Sequence, residues 1–142
     1  MKNDATFKVF QASAGAGKTF TLIKEYLKIC LKSKGMVGAY KSILAITFTN
    51  AAANEMKDKI VKELNGIINS DAPTDMEKAL LEELGISDDE LKHNAQRLLT
   101  CIIHDYSNFC VSTIDAFVQK LSRTFAHDLG LPNQYTVSID ND

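Results

Sequence analysis

Two hydrophobic periods alternate along this chain. Phe7-Lys8-Val9-Phe10 is a short β-prone run that ends at a Gly, Ala and Ser cluster, which predicts a strand over 7–10. From Lys18 the apolar positions fall at Phe20, Ile23, Leu27 and Leu31. Leu22, Tyr26, Ile29 and Cys30 widen that stripe, so the predicted helix is buried over much of its surface and is stopped by Gly35 and Gly38. Ile43-Leu44-Ala45-Ile46 is a continuous apolar run, the form of a parallel strand covered on both faces. Asn50 reads as the N-cap of a helix carrying Met56, Ile60, Leu64 and Ile67 inward. Residues 70–74 are a loop. Thr74-x-x-Glu77 and Ser87-x-x-Glu90 are capping boxes that open two further helices. The second of these turns Leu91, Ala95, Leu98 or Leu99, Ile102 and Tyr106 toward the core. Phe109-Cys110-Val111 is a third strand candidate, and a helix follows from Asp115 with Phe117, Leu121, Phe125 and Leu129 at four-residue spacing. Residues 135–139 are a last strand candidate.

Strand, helix, strand, helix, a helical insertion over about 70–106, strand, helix is a βαβ order. It predicts an α/β fold with a parallel sheet and helices on both faces. Three or four strands are few for such a sheet, so the expected domain, spanning 1–142, is incomplete. The composition is that of a globular domain, 45% hydrophobic and 24% charged over 142 residues, with a net charge of −2. That charge is uneven. Residues 71–90 hold eight acids and one base, while the remainder carries a surplus of +5. The acidic hairpin is expected to be solvated, or to face away from an anionic ligand. Three scattered cysteines form neither a disulfide framework nor a zinc set, which points to a reducing cytoplasmic setting. No apolar run approaches the roughly 18 residues a membrane span needs.

The strongest chemical signal is Ala12-Ser13-Ala14-Gly15-Ala16-Gly17-Lys18-Thr19, placed after a strand and opening a helix. Gly15 and Gly17 can take positive φ, and the small residues around them let backbone N–H groups converge on an anion. The helix N-terminus adds its own free N–H groups and dipole. These features make Ala14, Gly15, Ala16, Gly17, Lys18, Thr19 and Phe20 the candidate nucleotide-phosphate site. Lys18 is placed for the β- and γ-phosphates, and the Thr19 hydroxyl for Mg²⁺. Ala12 stands where the strict pattern has its first glycine. Taken alone, the loop leaves motors, small-molecule kinases and GTPases open.

Ile46-Thr47-Phe48-Thr49-Asn50-Ala51-Ala52-Ala53-Asn54-Glu55-Met56 narrows the choice, because it resembles motif Ia of the UvrD/RecB superfamily-1 helicases. Its three-alanine form is most like the AddA branch. The phosphate loop itself looks RecB-like, and Val111-Ser112-Thr113-Ile114-Asp115-Ala116-Phe117 resembles a third, DNA-proximal motif in which many members carry histidine at the position of Asp115. The resemblance covers about residues 6–68 and 109–139. It implies a RecA-like P-loop domain that binds ATP with Mg²⁺, in an enzyme that unwinds DNA during repair and recombination. It also implies single-stranded DNA contacts from Thr47, Phe48, Thr49, Asn50, Ser112 and Thr113. A partner subunit of a helicase-nuclease complex belongs to the same implication.

The residues agree with it. Threonine and asparagine at strand C-termini, beside helix N-termini, are phosphate-contacting types. Phe48 between two threonines is either a base-stacking platform or a core residue beside Ile46. No apolar strand ends in an Asp-Glu pair, since Asp89-Glu90 sits in a capping box. The chain is therefore expected to bind nucleotide phosphates without useful turnover. It is also expected to self-associate through strands left without neighbours. A stand-alone non-catalytic nucleotide-binding module and, with less support, a small-molecule kinase remain open at this point.

Overall fold

The structure is a computed structural model that describes residues 9–10, 17–32 and 38–125. The described elements run α1 (Lys18–Leu31), β1 (Ala45–Thr47), α2 (Asn50–Asn69), α3 (Asp75–Leu84), α4 (Asp88–His104), β2 (Val111–Thr113) and α5 (Ile114–Thr124), with one-turn 3-10 segments at Ala39–Ser42 and Tyr106–Asn108. The two strands are parallel, with Ala45 opposite Val111, Ile46 opposite Ser112 and Thr47 opposite Thr113. A pair of three-residue strands is marginal alone. It is held here because α2 packs across both strands.

The core lies between α1, α2, α3 and α4. Met56, Ile60, Leu64 and Ile67 on α2 are buried as their spacing predicts, and they meet Leu91, Ala95, Leu98, Leu99 and Ile102 of α4. The expected helical insertion is thus not peripheral, since α4 supplies five of the core residues. Both predicted N-caps form, the first as a complete capping box. The Thr74 hydroxyl and the Glu77 carboxylate exchange backbone N–H bonds reciprocally, and the Ser87 hydroxyl accepts from the Glu90 N–H. Glu77 is wholly buried, with Oε2 accepting from the Thr74 N–H at 2.7 Å and Oε1 from the Ser70 hydroxyl at 2.6 Å. Burial pushes the Cys30 thiol up to about 12, so this cysteine packs as an inert small side chain.

Several expectations change. The α1 helix is buried along one stripe only, on Ile23, Tyr26, Leu27, Cys30 and Leu31, while Phe20, Leu22 and Ile29 remain exposed. The predicted coverage of the sheet on both faces is incomplete among the described residues. α2 covers the inner face, but α5 packs mainly on β2, and Leu44 and Ile46 on the outer face stay half-exposed. β2 begins two residues later than the predicted third strand, because Phe109 turns inward to pack edge-on against Tyr26 and Tyr106. Tyr106 itself is half-exposed, since it sits in the 3-10 turn beyond α4. Val9 and Phe10 are exposed and outside the sheet, residues 7–8 of that predicted strand lie outside the described residues, and so do residues 135–139.

Candidate nucleotide and nucleic-acid site

Five α-helices begin among the described residues, and their first turns sort into two kinds. A Thr or Ser hydroxyl caps α2, α3, α4 and α5, whereas α1 starts at Gly17 with no side-chain cap. Gly17 has φ 74° and ψ 8°, a left-handed conformation that a Cβ disfavours. Its carbonyl accepts the first helical bond, from Thr21 N–H at 2.9 Å. The backbone N–H groups of the opening turn therefore face outward with no side-chain acceptor, and Lys18, Thr19 and Phe20 are exposed around them. Acids populate the first turns of α3, α4 and α5, while α1 and α2 have none. Carboxylates stabilise a helix start but would repel an anion there. The two helices cleared of them carry two of the three sequence motifs, whereas the third motif opens α5 with Asp115 in its first turn.

The donor set at α1 fits a polyphosphate and its magnesium ion. It offers free N–H groups, one full positive charge on Lys18 and a hydroxyl on Thr19. Ala14, Gly15 and Ala16 lie outside the described residues. The acidic hairpin does not simply face away from this helix. Glu83 of α3 pairs with Lys24, and with Lys28 at 2.5 Å, on α1. Those two ammonium groups hold the Glu83 carboxyl down to about 2.

The second group is assembled by strand register. Thr47 and Thr113 are direct neighbours, so residues 47–50 and 112–113 lie side by side at the C-terminal ends of parallel strands. The N-cap of α2 is Thr49, one residue before the predicted Asn50, and its hydroxyl accepts from the Ala52 N–H at 3.1 Å. The Thr47 hydroxyl donates to the Thr49 carbonyl at 3.0 Å, closing the turn between them. Phe48 is left 91% exposed at its apex, which excludes the core alternative in this structure. Asn50 is exposed in the first turn of α2, and Ser112 is half-buried. Thr113 is buried, and its hydroxyl accepts from the Ala116 N–H at 3.2 Å. A capping hydroxyl that accepts an N–H keeps its own proton, so Thr49 and Thr113 each retain one donor. α2 packs on α1 and on both strands, and so connects the two groups.

The profile of the UvrD/REP helicase N-terminal domain matches residues 4–142. The chain belongs to this helicase family. A Streptococcus suis protein named as an ATP-dependent helicase/nuclease subunit is 33% identical over 129 residues, which is 91% of this chain and 9% of that protein. The protein of the same name from Lactobacillus gasseri is 32% identical over 139 residues, 97% of this chain and 9% of its own length. That of Leuconostoc mesenteroides is 30% identical over 129 residues, 91% of this chain and 8% of its length. The chain thus spans less than a tenth of the curated relatives it matches. No solved structure matches it significantly. No helix among the described residues is long and apolar enough to cross a membrane.

Reading by residue type missed two features of this helicase-family segment. The sequence shows Glu77 in a capping box, but not its burial, which depends on the long-range placement of α3. Lys57 lies with its ammonium 5.1 Å from the centre of the Tyr106 ring, a contact across 49 positions that no local pattern encodes. Lys59, by contrast, pairs with Glu55 one turn away, as i,i+4 spacing allows.

Proposed function

We propose that residues 1–142 are part of a RecA-like, P-loop ATP-binding domain of a RecB/AddA-type DNA helicase or helicase-nuclease that acts in DNA repair and recombination in the cytoplasm. ATP binds with its phosphates on the opening turn of α1. Lys18 supplies charge to the β- and γ-phosphates, Thr19 contributes to the Mg²⁺ shell, and Gly17 and Phe20 flank them, with Ala14, Gly15 and Ala16 completing the loop. Single-stranded DNA crosses the paired strand ends. There Phe48 stacks on a base, while Thr47, Thr49, Asn50, Ser112 and Thr113 supply phosphate and backbone donors. Within the whole enzyme, which works on DNA ends together with a second protein of the same complex, the strand ends convert nucleotide-dependent domain closure into movement along DNA. The isolated chain, with Leu44 and Ile46 half-exposed and an apolar face of α5 open at Ile114, Val118, Leu121 and Phe125, self-associates.

The observation that carries this reading is the start of α1, uncapped by any side chain, free of acids and opened by a left-handed glycine followed by lysine and threonine. Calorimetric titration of ATP·Mg²⁺ into the parent and Lys18→Ala proteins tests it. The substitution removes the one full positive charge of a backbone-lined anion site, and binding is expected to disappear. A Lys18→Ala protein that binds as tightly as the parent overturns the assignment.

A further inference from the structure

The helicase motifs account for the strand ends but leave unused a cleft of about 450 Å³ that starts at Ser112 and runs beneath α5, past Lys57 of α2, to the segments that lead into both strands. We propose that this cleft carries the single strand onward from Phe48 and Ser112, with Lys57 and Lys120 as its phosphate contacts. The inference rests on the DNA-binding reading above and adds residues that the motifs do not contain.

The lining decides the ligand chemistry. Three lysines, Lys41, Lys57 and Lys120, face the cleft, and no carboxylate lines it among the described residues. Lys41 is already taken by an ion pair with Asp105. Lys57 and Lys120 have no carboxylate partner among the described residues. Lys57 is instead steadied over the Tyr106 ring, an arrangement that fixes the ammonium without neutralising it. Ser42, Ser107, Ser112 and Thr124 add hydroxyl groups around the same space. Cations and hydroxyls, with no acid among the described lining residues, suit an anionic backbone, and the floor of Leu44, Phe117 and Leu121 suits the flat face of a base. A second depression of about 490 Å³ shares Ala116, Lys120 and Thr124 and adds Gln119 and Arg123, so the basic strip continues along α5. A strip longer than one pocket fits a strand rather than a mononucleotide.

Fluorescence anisotropy of a labelled oligothymidylate over a salt series tests this, using the parent chain, Lys57→Gln, Lys120→Gln, the double variant, Phe48→Ala and Lys78→Gln. Each neutralised phosphate contact on single-stranded DNA contributes a salt slope of about 0.7. The double variant is therefore expected to flatten the slope by about 1.4 at an unchanged melting temperature, and Lys57→Arg to restore its share. Lys78, an exposed lysine on α3 near Asp75, is expected to leave the slope alone. If Phe48→Ala weakens binding while the double variant keeps the parent slope, the cleft is off the path and this inference fails with the DNA reading intact. If neither Phe48→Ala nor the double variant changes binding, both fall. A mononucleotide that depends on Lys57 and Lys120, beside an oligonucleotide that does not, also overturns the inference.

Discussion

Replacing Gly17 and Gly85 separately with alanine distinguishes backbone strain from ligand contact. Both are left-handed, at φ 74° and φ 63°, and a Cβ added at either meets nothing within 4 Å. The cost of alanine is then conformational and has no steric part. The left-handed region costs an L-residue about 1–2 kcal/mol, and the stiffer unfolded chain returns about 0.4–1 kcal/mol, leaving a net loss near 1 kcal/mol. With a urea dependence of about 1–3 kcal/mol per molar, each variant is expected to lower the unfolding midpoint by roughly 0.3–1 M. Their ligand effects are expected to differ. Gly85 closes α3, donating its N–H to the Leu81 carbonyl at 2.9 Å, whereas Gly17 aims the first N–H groups of α1. Gly17→Ala is expected to weaken ATP·Mg²⁺ by up to about fivefold, because whatever part of the roughly 1 kcal/mol the free chain avoids by relaxing away from φ 74° must be repaid when the phosphates bind. Gly85→Ala is expected to leave affinity unchanged. Equal losses of affinity in the two variants, or a Gly17→Ala that loses neither stability nor affinity, would refute the reasoning.

Three further outcomes follow from the same structure. Phe48→Ala removes an exposed ring, so it is expected to leave the melting temperature unchanged while weakening oligothymidylate binding by about 1–3 kcal/mol; a lowered melting temperature with normal binding returns Phe48 to a packing role. Glu77→Ala takes away a buried carboxylate that accepts from Thr74 N–H and Ser70 hydroxyl, and is expected to cost about 2–4 kcal/mol in urea unfolding, with a loss below about 1 kcal/mol counting against it. Lys24 and Lys28 depress the Glu83 carboxyl, so its stabilisation is complete above the ordinary value of 4.5 and is lost as pH falls toward about 2. This partly exposed pair contributes under about 1 kcal/mol, and acid unfolding of Glu83→Gln is expected to lack that share of the pH dependence.

Legibility from sequence followed the range of the interaction. Helix periodicity and caps are local, and so Met56, Ile60, Leu64 and Ile67 were correctly turned inward and the Thr74–Glu77 box was read whole. The N-cap of α2 missed by one residue because Thr49 and Asn50 are both good caps, and the Thr47–Thr49 turn selects the first. The strand limits and the exposure of Ile46 depend on neighbours far along the chain, which periodicity does not report. At the site, the residue types pointed to anions at three helix starts, those of α1, α2 and α5. Structure added that, among the described helices, α1 and α2 alone lack first-turn acids while α5 carries Asp115, and that strand register sets Thr47 against Thr113.

The central claim is that backbone N–H groups at the start of α1 bind nucleotide phosphates. Amide hydrogen exchange on the chain with and without ATP·Mg²⁺ measures those groups directly. The account predicts new protection at Lys18, Thr19 and Phe20, absent in Lys18→Ala, with no comparable change at the capped first turns of α3 and α4. Saturating ATP·Mg²⁺ that leaves the exchange of Lys18, Thr19 and Phe20 unaltered would contradict it.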